Sequence, residues 1–255
     1  MRTFGSRLLI IGLVMSLVGC FTPGTIPPKV NDQPKAKSAP AHLSQYKRLG
    51  LIALSEPKLY DIRTINYNVP NPGVTLPGRL VGGGLVALLK GTDATSKNYR
   101  LTETIHSAGF NFSDELQREL IQALQQKGFQ VTVIPEENRP GRHFLRSYPD
   151  QGNVDAYVDA YIDFAGYTTI NPSQPYVPTV EIPVQVVDAN TKQVVYSSTF
   201  RYGGPIPTEG VASVKADDRY NVRDFEKLEN SSRQAIEGLR AGAQSLSELI
   251  AQNFK

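Results

Sequence analysis

The side chains best placed to do chemistry lie in Val154 to Phe164 (VDAYVDAYIDF), where apolar and polar positions alternate strictly. An extended strand would send Val154, Ala156, Val158, Ala160, Ile162 and Phe164 to one face and Asp155, Tyr157, Asp159, Tyr161 and Asp163 to the other. Neighbouring positions of such a face stand about 6.6–6.8 Å apart. That is too far for one ion to bridge tightly without further ligands, and it is near the separation used by inverting glycosidases. A glycosidase also needs its two carboxyls across a cleft, and the chain has no Trp to supply a sugar platform. Two other readings fit the same pattern. One is a half-solvated sheet face shielded by Tyr rings; the other is a partner surface, since Tyr is favoured as an interface anchor.

Other chemistries are poorly supplied. The chain has one Cys and three His, which excludes an internal disulfide framework and a multi-cysteine zinc site. No metal site and no cofactor is expected. There is no Gly-x-Ser-x-Gly elbow for a nucleophile. His106 and His143 read as loop residues, the latter among Arg142, Arg146 and Asp150, and His42 as a solvated bystander. Twenty-seven basic side chains against 24 acidic ones give +3, which provides no electrostatic case for nucleic acid.

The most unusual stretch is Gly73 to Gly91 (GVTLPGRLVGGGLVALLKG), in which Gly82, Gly83 and Gly84 are flanked by Leu80, Val81, Leu85 and Leu88. It is no phosphate loop, because no Gly-Lys-Ser/Thr follows the glycines. Three readings remain open: a short helix Leu85 to Lys90 packed on the core after a glycine hinge, a contact loop in an oligomer, and a segment dipping into a lipid interface through Leu80 to Leu89. Tyr167 to Tyr176 and Gly203 to Pro207 are Pro/Gly-rich loops suited to contacts.

The amino terminus carries a different signal. Arg2 and Arg7 precede an eleven-residue apolar run, Leu8 to Val18, which ends in Leu17-Val18-Gly19-Cys20. The run suits a signal-peptide core and is too short for a spanning helix. The tetrapeptide resembles the lipobox of bacterial lipoproteins, and the sole Cys falls where that motif needs it. The resemblance implies cleavage before Cys20, a diacylglycerol on its sulfur and, in a Gram-negative cell, acylation of the new amino group. Two or three acyl chains, at about 0.8 kcal/mol per buried methylene, anchor a protein stably. Without Arg2 and Arg7 the mature chain would hold 25 basic and 24 acidic side chains, or +1, so attachment must come from lipid. Phe21 at the second mature position favours the outer membrane by the lipoprotein sorting rule.

Phe21 to Gln45 holds five prolines and no helical or strand period, and reads as an extended tether reaching at most about 75 Å. The expected organisation is thus a signal peptide over 1–19, lipidated Cys and tether over 20–45, and one periplasmic domain over 46–255 with the Gly-rich insertion. Within the domain, Arg48 to Leu54 reads as a strand. Ser113 to Lys127 reads as a helix with Ser113 as N-cap and Gly128 closing it, and Gln130 to Ile134 as the next strand. Val180 to Val187 and Lys192 to Tyr202 flank Asp188-Ala189-Asn190-Thr191 as a hairpin. Asp224 to Phe254 reads as a helix with an apolar stripe through Ile236, Leu239, Ala243, Leu246 and Ile250. This order predicts an α/β fold, a single domain with a mixed β-sheet and helices mainly on one face.

The order RLGLIAL, SDELQRELIQALQQKGF, VDAYVDA and VQVVDANTKQVVYSSTF, behind a lipobox and a Pro-rich tether, resembles bacterial envelope lipoproteins and envelope domains with an anticodon-binding-domain-like fold. That group includes the amino-terminal domain of the Tol-system propeller protein, the curli secretion lipoprotein, the Pel lipoprotein and peptidoglycan-synthase activator lipoproteins. The Gly-rich insertion departs from it, so no functional residue is carried across. The resemblance implies a non-enzymatic outer-membrane lipoprotein that works by protein contacts in an envelope assembly, with membrane lipid and envelope proteins as partners and a homo-oligomer as one form. The competing expectation is a periplasmic hydrolase of envelope polysaccharide using Asp155, Asp159 or Asp163.

Overall fold

The computed structural model describes residues 43–65, 92–136, 139, 141–171, 173–204 and 211–254. Eight strands form one mixed sheet: β1 (Arg48–Ile52), β2 (Asp61–Thr64), β3 (Gln130–Ile134), β4 (Ala156–Ala160), β5 (Phe164–Thr169), β6 (Val177–Asp188), β7 (Val194–Gly203) and β8 (Ala212–Val214). Four helices accompany it: α1 (Thr92–Ser107), α2 (Phe112–Gln126), α3 (Phe225–Asn230) and α4 (Ser232–Gln252). β1 is parallel to both β3 and β4, with α1 and α2 in the connection to β3, as expected of a crossover unit. β6 is antiparallel to β7 on one side and to β4 and β5 on the other. The α/β class and the mixed sheet expected from the sequence are what the structure has.

α2 starts earlier than the Ser113 cap predicts. Asn111, with extended backbone, accepts the Asp114 N–H at 3.0 Å and is the N-cap. Gly128 follows the helix at φ +91°, a left-handed conformation that favours glycine at this end. Leu116, Leu120 and Leu124 of α2 and Leu239, Ala243, Leu246 and Ile250 of α4 enter one core against the sheet. α1 went unread because its sequence is mostly polar. It docks through Leu101 and Ile105, both fully buried, and through polar side chains that cap backbone at β2. Asn98 Oδ1 accepts the Ile62 N–H at 2.7 Å, and Thr102 Oγ1 accepts the Tyr60 N–H at 2.9 Å. His106 therefore sits in the last turn of α1 and not in a loop. Leu43, expected in the tether, is also buried in the core.

The segment read as one strand, Val154 to Phe164, is two. Ala160 pairs with Val184 and Phe164 pairs with Glu181, so four steps on one strand oppose three on the other. The extra residue is a bulge at 161–163. Pro183, at the break, accepts the Tyr161 N–H at 3.3 Å but has no N–H to return. A one-residue slip reverses the facing of all that follows. Ala156, Val158 and Ala160 face the helices, but after the bulge Ala165 and Tyr167 do so. Phe164 instead lies beneath the Arg63 guanidinium, 4.1 Å from its ring centre.

Candidate functional site

The face opposite the helices was expected to be half-solvated and to carry Asp155, Tyr157, Asp159, Tyr161 and Asp163. Over its upper half it is covered by the segment between β3 and β4. A second, smaller core forms there from Ile52, Ile134, Val154, Tyr157 and Val187, with Leu145 and Tyr148 against it. Tyr157 and Asp159 have 0% exposure.

Asp159 is the anchor of the covering segment. Its Oδ1 lies 2.9 Å from Nη1 of Arg139. Its Oδ2 accepts the Leu145 N–H at 2.7 Å and the Tyr148 hydroxyl at 2.6 Å. Gln185 Nε2 donates to the Tyr148 oxygen at 2.5 Å. Arg139 also pairs with Glu136 at 2.7 Å and donates to the His143 carbonyl at 3.0 Å. Burial, then the Asp159 charge, drives the Tyr148 phenol well above its ordinary range. Rings complete the cover: Tyr148 stacks on Tyr157 at 5.3 Å, and Phe144 meets Tyr161 edge-on at 5.0 Å. Burial pushes the Tyr161 phenol up to about 12.

The other two carboxylates are elsewhere. Asp155 and Asp159 are four residues apart, two pleat steps, or roughly 13 Å along a strand. Asp155 holds Arg48 through Nε at 3.0 Å and Nη2 at 2.6 Å and accepts the Lys47 and Arg48 N–H groups at 2.9 and 2.8 Å. The Arg48 guanidinium holds its carboxyl down at about 2. Asp163 is half-buried at the bulge, where its carbonyl accepts Arg142 Nη1 at 2.7 Å. The structure therefore gives the three acids three separate sets of partners. His143 is exposed in the covering segment.

A second cluster was not legible in the sequence. Glu56 reaches the start of α2, where its Oε2 accepts the Ser113 N–H at 2.7 Å and its Oε1 the Phe112 N–H at 3.3 Å. The Tyr60 hydroxyl bonds the same carboxylate, and His106 Nε2 lies 3.9 Å from it. A carboxylate at a helix N-terminus satisfies free N–H groups and the dipole together, which makes this a cap supplied from a distant part of the chain.

Of the two Pro/Gly-rich loops singled out in the sequence, residues 205–207 of the second lie outside the described residues. Thr168 to Ile170, Gln174, Pro175 and Val177 line a cavity of about 560 Å³ at one end of the sheet, together with Gly203, Gly204 and residues between Ser213 and Asn221. Next to lining residues Pro175, Val177 and Asn221, Tyr176 and Val222 exchange paired backbone bonds, at 2.7 and 2.8 Å. Val177 and Val214 give it apolar walls, Thr168 and Ser213 hydroxyls, and Lys215 and Asp218 one ion pair at 3.1 Å. Asn221 adds a buried Oδ1 with no partner among the described residues. The volume falls in the range of ligand pockets.

Cys20 and the segment with Leu80, Val81, Gly82, Gly83, Gly84, Leu85 and Leu88 lie outside the described residues. Among the described residues, no group of His, Cys, Asp and Glu could hold a metal, and no helix is long and apolar enough to cross a membrane.

No family model matches the chain, and neither does any curated protein. Among solved structures it is similar to a PelC dodecamer from Paraburkholderia phytofirmans, at 11% identity and a TM-score of 0.34, over 82% of this chain and 89% of that one. It is also similar to a DUF330 protein of Xanthomonas campestris, at 10% identity and a TM-score of 0.36, over 81% and 85%.

Proposed function

We propose that this chain is a lipid-anchored accessory protein of the bacterial envelope, held at the outer membrane through Cys20 and acting on its periplasmic side by protein contacts. The observation that carries this reading is Leu17-Val18-Gly19-Cys20, placed directly after a signal-like apolar run and holding the only thiol of the chain. The domain supports contacts over catalysis. Asp159 is shut beneath a loop on Arg139, and Asp155 is spent on Arg48. An open feature among the described residues is the cavity at the sheet end, lined in part by Thr168 to Ile170 and by Gly203 and Gly204.

The test is labelling of cells with an alkyne-bearing fatty acid. The wild-type chain is expected to take the label and to fractionate with outer membrane, and Cys20→Ser to lose both. Unlabelled wild-type protein with its first nineteen residues intact would overturn the anchoring. Hydrolysis of envelope polysaccharide by the purified wild-type chain, lost in Asp159→Asn although the melting point is kept, would overturn the non-catalytic reading.

A further inference from the structure

The sheet has four free margins among the described residues, β2, β8, β3 and the Val194–Thr199 part of β7 that β8 leaves unpaired, and they are treated differently. β2 is covered by α1, whose Asn98 and Thr102 occupy N–H groups of Ile62 and Tyr60. β8 is three residues long and is followed by Lys215. Short length and a cation are two ways in which proteins blunt an edge. β3 has neither device. Its five residues, Gln130-Val131-Thr132-Val133-Ile134, contain no charge and no Pro, and it pairs on one side only, with β1. Gln130, Thr132 and Val133 are exposed, and Val133 is one of three large hydrophobic side chains open to solvent, at 39%.

The direction of its backbone groups follows from two bonds. Gln130 N–H donates to the Lys47 carbonyl and Ala53 N–H to the Ile134 carbonyl, both at 2.8 Å. In a parallel ladder alternate residues bond to the same side. The even positions of β3 therefore serve β1, and the N–H and C=O of Val131 and Val133 point to the open margin.

We propose that β3 pairs with β3 of a second copy of this chain, antiparallel about a two-fold axis through Thr132, joining two sheets into one. This register uses what the edge offers. Val131 of each copy faces Val133 of the other as a hydrogen-bonded pair, giving four bonds from the four outward groups. Thr132 faces Thr132, a favourable cross-strand pair. Val133 is covered by Val131 of the partner, on the helix side of the sheet where Val131 already packs. The strand is neutral, so self-pairing opposes no like charges, and the antiparallel sense brings Lys127, before one strand, towards Glu136, after the other. A contact confined to one strand is smaller than a standard stable interface. It gains occupancy where the copies are confined to a surface, and in that respect alone it rests on the anchoring proposed above.

The experiment is oxidative cross-linking of the full chain in membranes and in detergent, with Thr132→Cys and Gln130→Cys. In the proposed register the two Thr132 Cα atoms stand about 4.5 Å apart, within disulfide reach. The two Gln130 positions stand about 13 Å apart and out of reach. Dimer is expected from Thr132→Cys at roughly ten-fold or more above Gln130→Cys, given that geometric limit. Adding Val133→Pro should abolish it while leaving the melting curve in place, because that N–H bonds nothing among the described residues. Equal cross-linking at both positions would mean parallel in-register stacking, and none at either would mean an unpaired edge; each overturns the proposal. Fatty-acid labelling on the same samples separates the two readings: label without cross-link sinks the pairing alone, and cross-link without label sinks the anchoring alone.

Discussion

Arg139 Nη1 lies 2.9 Å from Asp159 Oδ1, and the two side chains are 3% and 0% exposed. Twenty residues separate them in sequence, and the pair fastens the segment between β3 and β4 across the sheet. In this fold the central acid of VDAYVDAYIDF receives a guanidinium, an N–H and a phenol.

Removing one partner of a buried ion pair leaves the other uncompensated, which costs about 3–5 kcal/mol. Asp159→Ala and Arg139→Ala are each expected to lose stability in that range by urea denaturation. The double variant is expected to lose less than the sum, because neither charge is then stranded. Limited proteolysis should open first between 141 and 153 in each single variant. Losses under about 1 kcal/mol, the scale of an exposed pair, would show that the segment is held by its rings alone.

Asp155 gives a pH dependence of defined sign. Its folded carboxyl is held at about 2 by Arg48 and by two backbone N–H groups, below the value of about 3.9 for an unfolded Asp. The unfolded chain thus binds the proton more readily, and the stabilisation is complete above about pH 4 and lost as pH falls towards 2. Asp155→Asn should flatten that part of the wild-type stability curve and leave the curve above pH 5 parallel to it. An unchanged acid limb would show that the pair contributes nothing to folding.

Gly238 on α4 is a point of close approach. A Cβ there would overlap the Tyr167 hydroxyl and lie 3.1 Å from Pro178 Cβ. Gly238→Ala is expected to lower stability by about 1–3 kcal/mol through overpacking. Tyr167→Phe alone should cost about 1 kcal/mol, since that hydroxyl donates to the Ala235 carbonyl at 3.0 Å. Combined with Gly238→Ala, it should recover part of the loss by removing the atom in the way. Thermal melts of the three variants check this, and an additive double variant would count against it.

The segment read as one helix, Asp224 to Phe254, is instead α3 and α4, parted at Ser231, which caps α4. The strands β1, β3, β6 and β7 and the helix α2 were legible because each carries a period of its own and turn chemistry at its ends. Asp188 illustrates this: its carboxylate accepts the Asn190 and Thr191 N–H groups at 3.0 and 2.8 Å and makes the turn the sequence announced. α1 was hidden because tertiary partners do for it what an apolar stripe does elsewhere. The cavity at the sheet end was not legible: Pro and Gly announced the segment from Tyr167 to Tyr176, but nothing in it showed that it would meet Gly203–Gly204 and Ser213 to Ala216.

By itself the sequence determined the properties set over short range: the signal-like run and its Cys, the α/β class, the glycine that closes α2, the hairpin turn and the uncharged character of β3. Tertiary structure decided what each alternating face would meet. An apolar–polar alternation states that two faces differ, but the partner of the polar face is chosen by distant residues. Pro183, twenty or more residues beyond the bulge, lies opposite the break where the facing reverses, and Arg139, twenty residues before Asp159, turned an apparent surface acid into a buried anchor. Desolvation makes such a charge costly unless its partner arrives, and only the fold determines whether it does.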